Sequence, residues 1–350
     1  MKFRASAEHF HKSGETLNGD VPESVSQLQV IVSGSFPDRM NSNLVLRTYL
    51  KQGLQSCLGQ EAVIDVPLES LPRAVETHRP KLVLCFGSCP PEVSNFAPLR
   101  AACDAADSHL AFWLHDDPYE FDLNYTATDV ADTLFTNDSW AAVHYDHPRA
   151  FHLPLAASEA AHYREWIHDK DKDVFFCGVA FSNRIALLRD LAPILARVRT
   201  QILGDGWPAD ITGAKNLRIP NHELVERSAR SLATLYMGRN MHFANRRFQL
   251  DPTTPGPRFF EAAMTGAVQL VFADSLEVLD YFEEEEGILL YDDPRGFGLQ
   301  LERLRDDPAF AQAVARAGQD RARREHSYES RARTLLEVCQ IDAPKEAHAA

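Results

Sequence analysis

The sequence predicts an α/β protein made of two doubly wound Rossmann-like domains that face each other across a cleft. Three observations carry this. Short apolar runs alternate with helix-length amphipathic segments from residue 28 onward, which implies consecutive βα units and parallel sheets covered on both faces. A charged stretch at 162–173, containing REWIHDKDKD, interrupts the alternation, which then restarts. The chain has 350 residues, enough for two domains of ordinary size.

The elements follow in order. Residues 28–33 (LQVIVS) form an apolar strand that ends in Gly34-Ser35, and 41–58 carry helical periodicity. Strands are expected at 62–66 and 81–86, with helices at 68–77 and 91–106. Residues 110–114 and 133–136 are the fourth and fifth strands, 139–145 a short helix, and 150–153 the strand that closes the first sheet. In the second half, 174–177 is a strand, 178–182 a turn and 184–198 a helix. A strand at 200–203 runs into Gly204-Asp205-Gly206-Trp207, and helix 222–229 leads to strand 232–237. Residues 254–268 read as a loop, a short helix and the start of a buried strand, because Pro257 suits the first helical position and Gly266 the residue past the end. Strand 268–272, a helix at 276–283, strand 288–291 and helices at 294–305, 308–324 and 328–338 complete the chain. The expected divisions are a polar arm at 1–26, domains at 27–160 and 172–325, and a closing helix at 326–340.

Composition narrows the partners. A net charge of −14 argues against a nucleic-acid backbone or an anionic membrane, so an anionic substrate needs a local basic pocket. No apolar run approaches the roughly 20 residues of a membrane span, and the first residues lack the apolar core of a secretory signal. A cytoplasmic protein with reduced thiols is expected. Cys85 and Cys89 are spaced C-x3-C, which suits neither zinc nor a redox pair.

Several residues could carry chemistry. Arg258 and Glu261, three apart, share one face at a helix N-terminus. An Arg beside unpaired helix N–H groups attracts phosphate, and a carboxylate one turn in can hold two sugar hydroxyls. A plain surface pair is the alternative. Arg184 follows the Gly178 turn, and Arg239 and Asn240 follow a strand end, where each can reach a phosphate or remain solvated. Gly204 begins a Gly-Asp-Gly turn that either lets backbone approach a nucleotide base or is simply tight. Gly34 and Ser35 sit at the first strand end. His115-Asp116-Asp117-Pro118 ends another strand, with His115 and Asp116 as candidates for acceptor binding and general-base catalysis and loop capping as the alternative. Adjacent Asp side chains point apart on a strand and D-x-D spacing is missing, so no metal site is expected there. His9 and His11 have metal-like spacing but no carboxylate cluster beside them, and 283–286, four glutamates at a helix end, read as a solvated face.

At this point the residues resemble a known family. PGPRFFEAAMTGAVQLV is similar to the donor-site element of GT-B-fold glycosyltransferases, and of the CgeB-like (spore-maturation) group above all. DVFFCGVAFSNR, LGDGW, LYMGRN and the G-x-x-R…H-S-Y…R pattern from Gly318 resemble that group's nucleotide-sugar domain in the same order, and FWLHDDPY and TNDSW its amino-terminal domain. The resemblance implies that Glu261 binds the ribose diol, that Arg258 binds the diphosphate or the base-side loop, and that Gly34-Ser35 face the donor phosphates across the cleft. It implies a nucleotide-sugar co-substrate, UDP-linked by expectation, with an unidentified acceptor, no further cofactor and no metal. It also implies retention at the anomeric carbon and a C-terminal helix that returns to the first domain. A GT-B epimerase or phosphorylase, or a non-catalytic sugar-nucleotide scaffold, is the alternative. Two departures stand out: the 241–255 segment is long and polar, and position 253, eight before Glu261, is Thr, so the E-x7-E spacing is absent.

Overall fold

The computed structural model describes residues 28–40, 44–90, 95–274 and 276–342. The arm at 1–26, with His9 and His11, and the first residues of the expected 91–106 helix lie outside them. The first sheet is built from β1 (Val30–Gly34), α1 (Leu44–Leu58), β2 (Val63–Asp65), α2 (Leu71–His78), β3 (Leu82–Phe86) and α3 (Ala97–Ala106), continuing with β4 (His109–Leu114), α4 (Phe121–Asn124), β5 (Thr133–Thr136), α5 (Ser139–His144) and β6 (Ala150–His152). A short α6 (Glu159–His162) leads out of it. Its six strands are parallel, in the order β2-β1-β3-β4-β5-β6.

The second half runs β7 (Lys172–Val179), α7 (Ser182–Leu195), β8 (Thr200–Asp205), β9 (Ala214–Asn216), α8 (Asn221–Ala229), β10 (Ser231–Tyr236), α9 (Pro257–Met264) and β11 (Val268–Phe272). It ends with β12 (Glu283–Glu284), β13 (Gly287–Tyr291), α10 (Pro294–Asp306), α11 (Pro308–Glu325) and α12 (Tyr328–Val338). The seven-stranded order is β12-β13-β11-β10-β7-β8-β9.

The period-two rule of strands places the cores. Val30, Val32, Leu82 and Leu84 pack into one cluster with α1 and α12, while Ile31, Val83 and Cys85 pack into another with α2 and α3. Both faces of this sheet are therefore buried, which is why β1 and β3 read as continuous apolar runs. The last helix belongs to the first domain's core: Leu335, Leu336 and Cys339 join the residues of α1. The two helices approach closely at Gly53, where a Cβ would stand 2.4 Å from Tyr328 O. Arg331, buried in the crossing, donates to Pro154 O at 2.8 Å and to Glu325 O at 2.9 Å. Among the described residues no helix is long and apolar enough to cross a membrane, and all six cysteines are thiols.

Some expectations change. The helix expected at 276–283 is a 3-10 turn, Leu276–Asp280, and the four glutamates lie on β12 and its turn, exposed, instead of at a helix end. The turn closes on Gly287 at φ 139°, where a Cβ would lie 2.9 Å from Gly318 Cα, so this corner is fixed by tertiary approach. Strand β9 and helices α4 and α6 were not expected. They are three or four residues long, and β9 leaves Lys215 and Asn216 exposed, so no apolar period marks it. The charged 162–173 stretch is packed despite its composition: His162, Lys170 and Asp173 are all buried.

Candidate functional site

Each sheet has a point where the strand order reverses, between β1 and β3 in the first and between β7 and β10 in the second. In doubly wound folds the crevice outside the carboxyl ends of the strands opens there. The two carboxyl edges meet, since Asp116, just past β4, accepts a hydrogen bond from Arg239 Nη2, just past β10, at 2.9 Å. Tyr119 adds its ring, 4.1 Å from the Arg239 guanidinium, and its hydroxyl donates to Arg239 O at 3.3 Å.

Arg184 occupies the second reversal point. Its Nη1 donates to Val179 O at the end of β7, and its Nε and Nη2 donate to Met237 O just past β10, at 3.1, 3.2 and 2.9 Å. Asn183 Nδ2 donates to Gly238 O at 3.1 Å, and its Oδ1 accepts from Asn240 N at 3.3 Å. Burial, helped by Arg239, lowers the Arg184 guanidinium to about 10, which leaves it charged at neutral pH. Gly178 leaves room for it, because a Cβ there would meet Arg184 Nη1 at 3.0 Å. Gly204 has a different reason. At φ 142° its Cβ would lie 1.8 Å from Gly178 O, so the close approach of β8 to β7 requires the glycine. Gly204 lies within β8, so its glycine answers to a strand contact and not to a turn.

Glu261 points inward from α9 and is 3% exposed. Arg258 Nη1 donates to its Oε2 at 2.7 Å, and Arg258 Nη2 donates to Asn221 Oδ1 at 3.3 Å. On the other side, His162 Nε2 lies 3.7 Å from Glu261 Oε1. His162 Nδ1 lies 3.0 Å from both Ser158 N and Ser158 O. Burial lowers the His162 pKa, so the ring is neutral at pH 7. Tyr49 of α1 stacks edge-on against His162 at 5.2 Å. The Arg258 side chain is 46% exposed. Tyr236 meets the start of α9: its hydroxyl accepts from Gly256 N at 3.3 Å, and its ring packs on Phe259. Burial raises its pKa, so the phenol is neutral. Tyr236, His162 and Tyr49 escape sequence reasoning, since each reads as an ordinary core aromatic.

The HDDP turn divides its labour. Burial pushes the Asp116 carboxyl up, but Arg239 and His115 more than reverse this and hold it below the usual carboxylate range. His115 is buried against the Phe86 ring at 5.2 Å, and burial lowers its pKa. A carboxylate of lowered pKa held by an arginine is a weak base, and a covered imidazole has little access to substrate. Asp116 is thus engaged by Arg239, and the His115 ring is largely covered. Asp117 caps the loop, accepting from Thr136 Oγ1, Asn124 Nδ2 and Tyr145 Oη at 2.6, 2.7 and 2.8 Å, and burial pushes it up to about 6. Gly34 and Ser35 stand at the first reversal point. A Cβ on Gly34 would meet Arg47 Nη1 at 2.7 Å, and Ser35 N donates to Phe86 O at 3.3 Å. Among the described residues no three of His, Cys, Asp and Glu group closely enough to hold a metal ion.

The long polar segment after β10 is a strap across the first domain. Ala244 N donates to Tyr119 O and accepts, through its carbonyl, from Asp122 N, both at 2.8 Å. The Asp122 carboxylate accepts from Arg246 N at 2.7 Å and Arg247 N at 3.3 Å. Leu250 is buried among the residues of α2, α3 and α4. Asp138 caps α5 through Ala141 N and also accepts from Thr253 N at 3.2 Å. Thr254 Oγ1 and Ser139 Oγ, one from each domain, both donate to Glu277, at 2.5 and 2.8 Å.

Comparisons with known proteins agree with this geometry. Residues 184–337, which contain Arg184, Arg239, Arg258 and Glu261, match the profile of a family described as glycosyl transferase-like. No curated protein matches the chain by sequence. Among solved structures, a glycosyltransferase of avilamycin A biosynthesis, AviGT4, is similar over 89% of this chain and 97% of its own, at 14% identity and a TM-score of 0.61. Anabaena Alr3699/HepE in complex with UDP-glucose covers 89% and 99%, at 10% identity and a TM-score of 0.58. Sucrose-phosphate synthase from Thermosynechococcus elongatus covers 89% and 98%, at 12% identity and a TM-score of 0.55. The fold is that of the GT-B glycosyltransferases.

Proposed function

We propose that this protein is a glycosyltransferase that moves a sugar from a nucleoside diphosphate, UDP in the first instance, to a hydroxyl-bearing acceptor. One observation carries the reading: the reversal-point crevice of the second sheet opens beside Arg184, Arg239 and the N-terminus of α9 with its half-exposed Arg258. Such a cluster of fixed cations and helix N–H groups suits a diphosphate. The neighbour that holds UDP-glucose on the same fold makes UDP the first nucleotide to test.

In this reading Arg258 swings from Glu261 to the diphosphate, and the released carboxylate accepts from the ribose diol. His162 Nε2 borders the carboxylate at 3.7 Å. The bond from the sugar C1 to the β-phosphate oxygen breaks, one from C1 to the acceptor oxygen forms, and the acceptor's hydroxyl proton passes to the departing β-phosphate oxygen. Negative charge grows on the leaving diphosphate, so cations fixed there stabilise the transition state more than the ground state. Asp116 and His115 line the acceptor side and position it. Retention, a CgeB-like affiliation and activity in the presence of EDTA belong to the same proposal.

The test is nucleotide binding. UDP should raise the melting temperature more than GDP or ADP, and a UDP-sugar should raise it as well. If none of the three nucleotides shifts it, the donor site is wrongly assigned. Incubating UDP-sugars without acceptor and following them by NMR separates transfer from epimerisation.

A further inference from the structure

We propose a second ligand site, remote from the cleft, that binds an anion carrying a flat apolar body, with an aryl phosphate the simplest member of the class. The site is a cavity of about 670 Å³ at the opposite edge of the second sheet, where β7 and β10 begin and α7 and α10 end. The cleft lies at the other ends of the same strands. The six residues of β10 put the two about 20 Å apart.

Charge and shape both point to such a ligand. Four cations line the cavity, Lys170, Arg197, Arg199 and Arg305, against two carboxylates, Asp169 and Asp173. The excess is positive in a chain of net charge −14. Arg199 is committed to Asp173 at 2.8 Å. Arg197 makes no ion pair among the described residues, Arg305 acts on Asp173 only from beyond ion-pair distance, and both also line an adjoining cavity of about 320 Å³, so they stand where the two meet. A pair of planar guanidinium forks matches the oxygens of a phosphate dianion.

The flat body has its own surface. Trp166, Val198 and Pro308 give the cavity its apolar surface. The Trp166 indole N–H itself is buried, so the ring offers the cavity apolar surface only. The ring itself is held rigidly, with Lys170 Nζ 3.9 Å from its centroid. Lys170 in turn donates to Ala229 O at 2.7 Å and reaches Gly266 O at 3.5 Å. Burial lowers its pKa to about 8, and an arriving anion would favour its charged form. The 162–173 connection is thus one wall of a binding site as well as a link between sheets.

Intrinsic fluorescence tests this directly, because Trp166 is the one tryptophan of the four in the chain that lines the cavity. The full chain is titrated with phenyl phosphate, with phenol and inorganic phosphate as separate arms. We expect a saturable change with phenyl phosphate and a dissociation constant at least about tenfold lower than for either fragment. The change should vanish in Trp166→Phe while calorimetry still detects binding. Arg197→Ala with Arg305→Ala should raise the dissociation constant at least about tenfold, with the circular dichroism and melting temperature unchanged. Saturating UDP should displace nothing. The proposal is overturned by no saturable change, by an equal change in Trp166→Phe, by indifference to the two arginine substitutions, or by displacement with UDP.

Discussion

Arg258 and Glu261 show how one pair of residues serves structure and chemistry together. Glu261 is buried, so its carboxylate needs a partner, and Arg258 supplies one, with His162 Nε2 bordering it at 3.7 Å. Removing Arg258 leaves the buried Glu261 carboxylate without its ion-pair partner, so stability should fall along with affinity. Arg258→Ala is expected to weaken UDP binding at least about tenfold and to lower stability by about 1–3 kcal/mol, measured by calorimetry and urea unfolding. Glu261→Gln should weaken binding similarly while the protein stays folded. Full UDP affinity in both variants would remove the assignment. Their spacing marked these two residues in the sequence, but the depth of Glu261 did not show there, since burial depends on α6 and α1 packing over α9.

At the scale of elements, the turn between α11 and α12 carries a pH dependence. His326 Nε2 donates to Tyr281 O at 2.9 Å and its Nδ1 faces Arg331 Nη2 at 3.2 Å, so the ring must be neutral. Burial, reinforced by Arg331, lowers its pKa to about 4, against an ordinary 6.5. The unfolded chain therefore takes up this proton first. The contribution is fully present above about pH 6.5 and is lost as the pH falls toward 4, by about 3 kcal/mol in all. Asp117 acts with the opposite sign in part of the same window. Its folded value of about 6 lies above the ordinary 3.8, so acidification relieves a cost. The net slope is therefore mixed, and the difference between proteins is the useful quantity. Stability of wild type minus that of His326→Gln should shrink between pH 6.5 and 4, and a constant difference would contradict the assignment.

Across the whole molecule, two segments hold the domains in their relation. The strap after β10 ties the loop ahead of α9 to the first domain through Asp122 and Asp138, and α12 returns from the second domain into the first core. Replacing both aspartates by Ala should raise amide exchange of Ala244, Arg246 and Thr253 by at least about tenfold, an opening free energy lower by about 1.4 kcal/mol. Exchange in the β3 and β4 cores should stay unchanged. If the strap amides keep their protection, the strap is held by its apolar contacts, Leu250 foremost.

The sequence by itself determined the two βα alternations, the helix bearing Arg258 and Glu261, and the last helix from Tyr328, because period and capping are local properties of the chain. It also marked Arg184, Gly178, Arg239 and Asn240, since residues just past strand ends fall at the carboxyl edge of a parallel sheet. Only the tertiary structure decided what those residues touch. Arg184 meets the carbonyls of two strands at the reversal of strand order, and Asp116 meets Arg239 across more than a hundred residues of sequence. Gly204 owes its identity to the carbonyl of Gly178 on the neighbouring strand, and the polar strap and the 162–173 connection are packed because distant carboxylates and carbonyls satisfy them. Contacts of this kind depend on strand order and domain docking, which no local window of sequence encodes.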